Sequence, residues 1–218
     1  MKHKGLFITF EGPEGSGKTT QLKRLGEFLR KRHVPSILTR EPGGSKLSTH
    51  LRHWILNQLE YKLTPEAELH LFLADRAQHV KEVLLPALQK RKVVLCDRYT
   101  DSTLAYQGGG RGFDLGLLKQ MNTNVSSGLT PDLTILFDLP VEEGLKRAAG
   151  RGKGNDRMES EALSFHRKVR KVFVKLAQKH RRRFLVLNAK RSEDEVFDAM
   201  LEKIAFRVPR SWRLKFLP

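Results

Sequence analysis

A short stretch near the N-terminus combines glycines, a lysine and a threonine at the spacing that polyphosphate binding requires. Residues 12–19 read Gly-Pro-Glu-Gly-Ser-Gly-Lys-Thr and fit the pattern G-x-x-x-x-G-K-[ST] at every fixed position. The glycines allow backbone N–H groups to surround an anion, while Lys18 can reach the β- and γ-phosphates and the Thr19 hydroxyl can ligate Mg²⁺. The spacing therefore predicts a site for a nucleoside triphosphate. Its predicted residues are Gly12, Pro13, Glu14, Gly15, Ser16, Gly17, Lys18, Thr19 and Thr20.

Arginines follow two of the other apolar segments. Arg40 comes after the segment 35–39, and Arg98 comes directly after Asp97 at the end of the segment 92–97. Ligands bind beyond the carboxyl ends of parallel strands, and a guanidinium can bind phosphate through two parallel hydrogen bonds. Either arginine alone is as typical of a surface ion pair as of a phosphate-binding site. Together, beside a phosphate loop, they predict an acceptor that already carries a phosphate.

A phosphoryl acceptor that already carries a phosphate needs fewer catalytic groups in the site than a hydroxyl acceptor does. A hydroxyl acceptor normally needs a base to take its proton, whereas a phosphate monoester, with a second pKa of roughly 6, is mostly a dianion at neutral pH. Transfer between phosphates then requires alignment and neutralisation of charge but no dedicated base. Most histidines, His79 and His166 among them, lie within predicted helices, where we expect exposed polar positions.

The apolar pattern around these residues alternates between strands and helices. Runs typical of buried strands cover 5–11, 35–39, 92–97, 132–138 and 183–188. Helical periodicity covers 19–32, 47–59, 65–90, 114–125, 141–150, 160–181 and 193–207. The alternation predicts an α/β fold of three layers, α/β/α, in which a five-stranded parallel sheet is covered on both faces. We expect a single domain over 1–207 and a basic tail over 208–218.

Local signals refine the helix boundaries. Thr64 can cap a helix that has Pro65 at its first position. Ser192, with Glu195 three residues later, fits a capping box. Pro86 is expected to kink or shorten the third predicted helix.

Three segments are open to more than one interpretation. Glycine-rich stretches at 107–112 and 150–154 are typical of either a loose connector or a mobile loop that closes over a ligand, and the basic residues within both favour closure. The tail places Trp212, Leu214 and Phe216 among cations. It can pack on the domain, contact a neighbouring chain or fray, and the sequence does not decide between these arrangements.

The composition limits the class of protein. The chain has 218 residues, of which 39% are hydrophobic, and no run approaches the ~18 apolar residues of a membrane span. The N-terminus runs directly into the first predicted strand and leaves no room for a signal peptide. The one cysteine, Cys96, excludes an internal disulfide and lies in an apolar run, where we expect a buried, unreactive thiol. We therefore expect a cytoplasmic protein without membrane contact.

The formal net charge of +17 is compatible with nucleic acid, acidic small molecules or a basic surface. From Phe165 to Arg183, basic residues alternate with an apolar stripe that includes Phe165, Val169 and Phe173. This pattern favours a solvated basic face on a helix that packs against the core. Nucleic acid is therefore not the expected partner.

Five motifs occur in the order and spacing of one enzyme family. They are the phosphate loop, Thr-Arg-Glu-Pro-Gly-Gly at 39–44, Asp-Arg-Tyr at 97–99, Ala-Tyr-Gln-Gly-Gly-Gly-Arg-Gly at 105–112 and Pro-Asp-Leu at 131–133. Together they resemble the bacterial thymidylate kinases over about residues 5–205. The resemblance implies the P-loop nucleoside monophosphate kinase fold, a homodimer, and Mg²⁺-dependent transfer of the γ-phosphate of ATP to dTMP, giving dTDP and ADP for dTTP biosynthesis.

The resemblance also implies roles for acceptor-site residues. Those implied are Glu14 at the 3′-hydroxyl, Arg40 and Arg98 at the dTMP phosphate, Phe72 stacked on thymine, Arg76 at a thymine carbonyl, Ser102, Thr103 and Gln107 facing the base, and Tyr106 beneath the sugar. Asp97 would orient an arginine or a magnesium-bound water. The implied metal-site residues are therefore Thr19, through its hydroxyl, and Asp97, through that water. An ordinary core position is the alternative for Phe72. Asp75 and Asp101, unless they face solvent, add negative charge beside the base pocket and leave base selectivity open.

A further implication concerns the catalytic arginine. Some members of the family place an arginine in the phosphate loop, at the position of Gly15, and members without it supply arginine from a mobile lid. The segment 141–158 resembles that lid. Arg151 is expected to reach the transferring phosphoryl group, with Arg147 and Arg157 in support. The predicted catalytic residues are Lys18, Arg98 and Arg151.

Two alternatives remain at this point. A kinase for another nucleoside monophosphate or for a deoxynucleoside would share the phosphate loop, although a nucleoside gives Arg40 and Arg98 no phosphate to hold. An ATP-dependent nucleic-acid-binding protein is suggested by charge alone and is much less favoured. It predicts turnover that DNA or RNA stimulates, with a steep salt dependence.

Overall fold

Five parallel strands form the centre of the computed structural model, which describes residues 5–57, 60–150 and 156–217. The strands are β1 (Leu6–Glu11), β2 (Ser36–Arg40), β3 (Val93–Asp97), β4 (Leu133–Asp138) and β5 (Phe184–Asn188), in the spatial order β2-β3-β1-β4-β5. Every pairing between them is parallel. In the centre of the sheet, Phe10 lies between Asp97 of β3 and Ile135 of β4. The predicted five-stranded parallel sheet is thereby confirmed.

Helices connect the strands at the predicted places. They are α1 (Lys18–Lys31), α2 (Lys46–Leu56), α3 (Pro65–His79), α4 (Leu85–Gln89), α5 (Thr100–Thr103), α6 (Leu115–Val125), α7 (Val141–Ala149), α8 (Leu163–Lys179), α9 (Glu193–Arg207) and α10 (Arg210–Arg213). The end of the second predicted helix falls partly on residues 58 and 59, which lie outside the described residues. Because the chain crosses from β3 to the far side of β1 to form β4, the carboxyl ends of β1 and β3 border a crevice where ligands bind in such sheets.

Both faces of the sheet are buried. Ile8 and Phe10 of β1 pack in one apolar cluster with Leu25 of α1 and Ile204 of α9. Phe7 points to the opposite face and joins a second cluster with residues of α4 and β3. Successive side chains of a strand alternate between faces, so a continuous apolar run is what a doubly covered strand requires. The predicted three-layer α/β/α class is confirmed.

The local helix signals are confirmed. Thr64 Oγ1 accepts a hydrogen bond from the backbone N–H of Ala67 at 3.2 Å. Ser192 Oγ accepts from Glu195 N at 3.3 Å, while Glu195 Oε2 accepts from Ser192 N at 2.9 Å, which completes the capping box. Pro86 has no N–H to donate, and the third predicted helix changes before it from α3 to π-helical turns and then to α4.

The glycine-rich stretch at 107–112 differs from both interpretations offered by the sequence. It is neither a connector nor a loop, because π-helical turns over Leu104–Gly110 continue directly from α5. A Cβ on Gly109 would lie 2.7 Å from Val172 Cγ2 and 3.0 Å from the carbonyl oxygen of Lys168. The glycines therefore permit close packing of this segment against α8. The second stretch falls mainly on residues 151–155, outside the described part of the chain.

The C-terminal segment packs on the domain. Phe216 is fully buried in the same apolar cluster as Ile204 and Ala205, and Trp212 packs against that cluster. Arg213 Nε donates to the carbonyl oxygen of Ala205 at 3.1 Å. Burial of one aromatic ring contributes roughly 1.5–3 kcal/mol, which favours this arrangement over a frayed end.

Two expectations from composition concern burial. Cys96 is fully buried, and burial raises the pKa of its thiol well above the ordinary value, so the thiol is protonated and unreactive as expected. Within the described residues, the helices all lack the combination of length and apolar character needed to cross a bilayer.

Candidate active site

The phosphate loop joins β1 to α1 through glycines with positive φ. Gly15 has φ +66°, and Gly17, directly before α1, has φ +83°, conformations that residues with side chains rarely adopt. The unpaired N–H groups at the start of α1 are thereby presented to a ligand. Lys18 Nζ donates to the carbonyl oxygens of Gly12 at 3.1 Å and Pro13 at 2.8 Å. Burial lowers the pKa of Lys18 to about 8.

A cavity of about 560 Å³ brings the predicted residues together. Those that line it are Glu14, Gly15, Ser16, Gly17, Lys18, Thr19, Thr20, Arg40, Phe72, Arg76, Asp97, Arg98, Ser102, Thr103, Tyr106 and Gln107. Gly12 and Pro13 do not line it but accept hydrogen bonds from Lys18, and Arg151 lies outside the described residues. We call the part lined by Arg40, Phe72, Arg76, Arg98 and Gln107 the acceptor end. The part lined by Gln21, Arg147, Ala189, Arg191 and Val196 is the donor end.

Glu14 holds two acceptor-end side chains beside the loop. Arg98 Nη2 donates to Glu14 Oε1 at 2.7 Å, and the Tyr106 hydroxyl donates to the same oxygen at 2.6 Å. The guanidinium also lies 4.8 Å from the centre of the Tyr106 ring. Burial opposes the charge of Glu14, but Arg98 and Lys18 lower its pKa to about 2. Glu14 in turn raises the pKa of Arg98 despite burial, so both groups are charged over the whole physiological range.

The backbone of Arg98 explains how its side chain reaches the loop. This residue has φ +71°, a conformation that costs a residue with a side chain roughly 1–2 kcal/mol, and its N–H donates to the carbonyl oxygen of Phe10 at 3.0 Å. Nη1 then donates to Gly12 O at 3.2 Å and to Ser102 Oγ at 3.3 Å. Strain retained at such a position is typical of functional sites.

Arg40 and a second arginine that the sequence did not single out face the same part of the cavity. Arg40 is exposed and has no ion-pair partner within residues 5–57, 60–150 and 156–217. Arg52, on α2, lines the cavity, and its Nη1 donates to Pro42 O at 2.7 Å. Burial and the nearby Arg40 lower the pKa of Arg52. No spacing marked Arg52, because it is one of several cations on an amphipathic helix.

Arg76 is nearly fully buried and strongly constrained. Its Nε and Nη2 each lie 2.8 Å from Glu41 Oε2, and Nη1 donates to Thr103 Oγ1 at 2.8 Å and Asn122 Oδ1 at 2.5 Å. A guanidinium has five N–H groups, so these contacts leave one N–H of Nη2 for a ligand. Phe72, one helical turn earlier, is half-buried and lines the cavity, which excludes the alternative of an ordinary core ring.

Thr19 and Asp97, the predicted metal-site residues, lie side by side. The Thr19 hydroxyl donates a short hydrogen bond to Asp97 Oδ2. Hydroxyl and carboxylate oxygens suit Mg²⁺, which usually binds through one or two carboxylates, waters and substrate phosphates. No cluster of three or more His, Cys, Asp or Glu side chains occurs in the described part of the chain. Mg²⁺ held by Thr19 and Asp97 would therefore complete its coordination with phosphate and water oxygens.

Gly15 packs directly against α7, the helix at the start of the predicted lid. A Cβ at Gly15 would lie 2.7 Å from the carbonyl carbon of Gly144 on α7. A Cβ at Gly144 would in turn collide with the backbone oxygen of Glu14. Glycine is thus required on both sides of this contact, and position 15 has no room for a side chain.

The described lid arginines occupy different places. Arg147 lines the donor end, where its Nη1 donates to Ala189 O at 2.8 Å. Arg157 does not line the cavity: its Nη1 donates to Glu68 Oε2 at 2.7 Å and its Nε to Ile55 O at 2.9 Å. The prediction that Arg157 supports phosphoryl transfer is therefore wrong, because a buried carboxylate holds it behind the acceptor end.

Several polar residues are buried, although exposure was expected for the histidines and was one of two alternatives for Asp75 and Asp101. His79 is fully buried, with Nδ1 2.9 Å from Glu41 Oε1, and His166 is buried as well; neither lines the cavity. Asp75 accepts a hydrogen bond from Gly43 N at 2.9 Å. Asp101 forms an ion pair with Arg183, the residue before β5, at 2.6 Å. Both aspartates are buried outside the cavity lining, so neither adds charge to the base pocket surface.

The donor-end residues other than Arg147 were missed by the sequence. Ala189, Arg191 and Val196 lie more than a hundred residues beyond the phosphate loop and follow β5, which is brought close only by its pairing with β4. Gln21 connects α1 to the start of α9, since its Nε2 donates to Glu193 O at 2.8 Å. No local motif could have identified this end of the cavity.

Comparison with known proteins gives a consistent result. Residues 10–200 match the family model described as Thymidylate kinase. The thymidylate kinase of Carboxydothermus hydrogenoformans is 52% identical over 89% of this chain and 94% of that protein, and that of Deinococcus radiodurans is 53% identical over 88% and 93%. A crystal structure of thymidylate kinase from Ehrlichia chaffeensis is similar with a TM-score of 0.74 and 33% identity, covering 92% of this chain and 98% of that one.

Proposed function

We propose the following residue roles for this chain, which belongs to the thymidylate kinase family and is an ATP:dTMP phosphotransferase. The observation that carries the proposal is a single cavity that joins the phosphate loop to a cluster of arginines and to the half-buried ring of Phe72. Such a cavity can hold a triphosphate and a phosphorylated acceptor in the alignment that transfer requires.

Three arginines bind the phosphate of dTMP. The backbone conformation of Arg98 and its hydrogen bond to Glu14 orient its guanidinium towards the loop. Arg40 and Arg52 line the same end of the cavity. Their charges offset the repulsion between the acceptor dianion and the γ-phosphate. Because that dianion has no proton to lose, the reaction needs no general base, and the burial of His79 and His166 away from the cavity is compatible with this.

The remaining acceptor-end residues bind the nucleoside. Phe72 stacks on thymine, and the remaining N–H of Arg76 Nη2 donates to a carbonyl of the base. Gln107 faces the same base. Ser102 and Thr103 act mainly through other residues, since their hydroxyls already bond Arg98 and Arg76. The sugar lies over Tyr106 and bonds Glu14 through its 3′-hydroxyl.

The loop and the donor end bind ATP. Backbone N–H groups of the loop and Lys18 hold the phosphates, and the cavity between Gln21 and Val196 takes the adenosine. Bound phosphates favour protonated Lys18, whose pKa is lowered to about 8 by burial and by the nearby Arg98. Thr19 and Asp97 would hold Mg²⁺, which would supply positive charge to offset that of the bound phosphates. The lid over 141–158 closes over them and brings Arg151 to the transferring group.

An exposed apolar patch on α2, α3 and the segment between them supports a homodimer. Trp54 and Tyr61 are largely exposed, and with Leu63 and Leu71 they line a shallow groove. Exposed aromatic patches of this kind mark protein interfaces. Light scattering tests the proposal: Trp54→Lys should shift the mass in solution from dimer to monomer. We also propose a cytoplasmic location, based on the single reduced cysteine.

A panel of acceptors tests the substrate assignment. ADP release would be measured with ATP, Mg²⁺ and, in turn, each nucleoside monophosphate and thymidine. dTMP should give the highest kcat/KM, and thymidine should be inactive because it offers the arginines no phosphate. A different best acceptor would contradict the assignment.

A further inference from the structure

Glu68 lies on α3, one helical turn before Phe72, and its buried carboxylate accepts hydrogen bonds from distant segments. Oε1 accepts from Gln107 Nε2 at 2.9 Å and from Arg111 Nε at 3.1 Å. Oε2 accepts from Arg111 Nη2 at 2.8 Å and from Arg157 Nη1 at 2.7 Å. Of these partners, Gln107 alone lines the cavity.

The arginines hold this carboxylate ionised and in one orientation. Burial favours the neutral form of Glu68, but the hydrogen bonds from Arg111, Gln107 and Arg157 lower its pKa below the ordinary value. Each arginine is itself held elsewhere: Arg111 pairs with Glu161 at 2.6 Å, and Arg157 Nε donates to Ile55 O. The carboxylate therefore cannot turn away from Gln107 without breaking a buried ion pair.

An ionised carboxylate can only accept hydrogen bonds. The amide of Gln107 must therefore present its NH₂ group to Glu68, and a flipped amide would place two acceptor oxygens against each other inside the protein. An amide has one nitrogen end and one oxygen end, so the oxygen is the end of Gln107 available to a ligand in the cavity. Glu68 thus decides which hydrogen-bonding atom this residue offers.

We propose that Glu68 is a positioning residue for base selection, which holds Gln107 Oε1 as the acceptor for the N3–H group of thymine. The inference rests on the proposed base-facing role of Gln107. In thymine and uracil, N3 carries a hydrogen and donates, whereas in cytosine N3 is an acceptor. A cytosine base would place this acceptor against a fixed oxygen, and an unpaired buried polar contact is the strongest means by which a site rejects an analogue.

The test compares Glu68→Gln with the matched control Glu161→Gln. The control also removes a carboxylate partner of Arg111, but Glu161 does not contact Gln107. Calorimetry would give the Kd of dTMP, dUMP and dCMP for each full-length variant. In Glu68→Gln the amide of Gln107 is free to flip, so the preference for dTMP over dCMP should fall by roughly tenfold or more.

Two internal comparisons separate base selection from general damage to the fold. The preference for dTMP over dUMP should stay unchanged in Glu68→Gln, since both bases carry N3–H. Glu161→Gln should leave both preferences unchanged. Equal weakening of all three nucleotides in Glu68→Gln would overturn the inference and assign Glu68 a purely structural role.

A second variant keeps the inference testable if Glu68→Gln folds poorly. Glu68→Asp keeps the charge that the arginines need but withdraws the carboxylate from Gln107 by one methylene, so we expect a smaller loss of the same preference. An unchanged ratio of dTMP to dCMP in Glu68→Asp would also overturn the inference. A wild-type protein that does not prefer dTMP would instead contradict the proposed function, so the two failures are distinguishable.

Discussion

The two ends of the cavity are built in different ways. At the acceptor end two of the three named arginines are largely buried and bonded to carboxylates, in the pairs Arg98–Glu14 and Arg76–Glu41, and only Arg40 is exposed. At the donor end Arg147 is partly exposed and Arg191 is exposed. The acceptor must be chosen among similar nucleotides, which requires side chains held in one geometry. In the proposed function the triphosphate binds largely to backbone N–H groups, whose positions the loop already determines.

This difference has an energetic consequence. Removing one partner of a buried ion pair leaves an uncompensated charge and typically costs about 3–5 kcal/mol, whereas an exposed pair contributes about 0–1 kcal/mol. Substitutions at the acceptor end should therefore alter both binding and stability. Substitutions of exposed donor-side arginines should alter catalysis with little effect on the fold.

Arg151→Ala should have the largest effect, and on kcat. An arginine supplied to the transferring phosphoryl group is worth on the order of 10³-fold or more in rate, and a lid residue contributes little to dTMP binding. Steady-state kinetics should show a large fall in kcat with nearly unchanged KM for dTMP. Arg167→Ala, an exposed α8 arginine paired with Glu142, serves as the control with wild-type rates. The reverse pattern would assign Arg151 to ground-state binding.

Arg98→Ala should act mainly on the acceptor. It removes a phosphate ligand and leaves the Glu14 carboxylate unpaired beside the bound phosphate, so the Kd of dTMP should rise roughly 100-fold or more. Calorimetry with ATP and with dTMP separates the ends of the cavity, since the Kd of ATP should stay nearly unchanged. An equal loss of both affinities would contradict the division between the two ends.

Gly15→Ala should disturb the contact between the loop and α7. The new Cβ meets the backbone of Gly144, which forces the lid helix outward, so kcat/KM for ATP should fall roughly tenfold, in line with an overpacking cost of about 1–3 kcal/mol. Gly128→Ala is the matched control. Gly128 has a similar φ of +70° but no atom within 4 Å of its Cβ position, so it carries the backbone strain without the collision and should retain wild-type kinetics.

Asp75→Asn should have the smallest effect on activity and a pH-dependent effect on stability. Burial and the nearby Glu41 raise the pKa of Asp75 from 3.8 to about 6. The folded protein therefore binds a proton at Asp75 more tightly than the unfolded chain does. This proton binding stabilises the fold below pH 3.8, and the contribution is lost as the pH rises through about 6. Urea denaturation at pH 8 should show Asp75→Asn more stable than wild type by roughly 3 kcal/mol, and the two should be nearly equal near pH 4.

Asp198→Asn supplies the control for that measurement, because Asp198 is exposed on α9. Its stability should match that of the wild type at both pH values. A wild type that equals Asp75→Asn at pH 8 would show that Asp75 is neutral or fully compensated there.

Prediction from the sequence succeeded where the signal is local. Continuous apolar runs indicated the strands, and Ser192 with Glu195 indicated a helix start, because these features depend on residues a few positions apart. It failed where long-range packing decides. The glycines near Gly109 suggested a loop but serve close packing on α8, and His79 was expected on a surface that Glu41 and Thr39 in fact cover.

The sequence by itself determined the phosphate loop, the alternation that makes a parallel sheet, and the set of motifs that gives the family. Each depends on short spacing, which covalent geometry converts directly into structure. Only the tertiary structure decided that Arg52 lines the cavity, that Arg157 lies behind the acceptor end, and that Glu68 bonds the Gln107 amide. These contacts join residues far apart in the chain, and their partners are selected by packing rather than by position in the sequence.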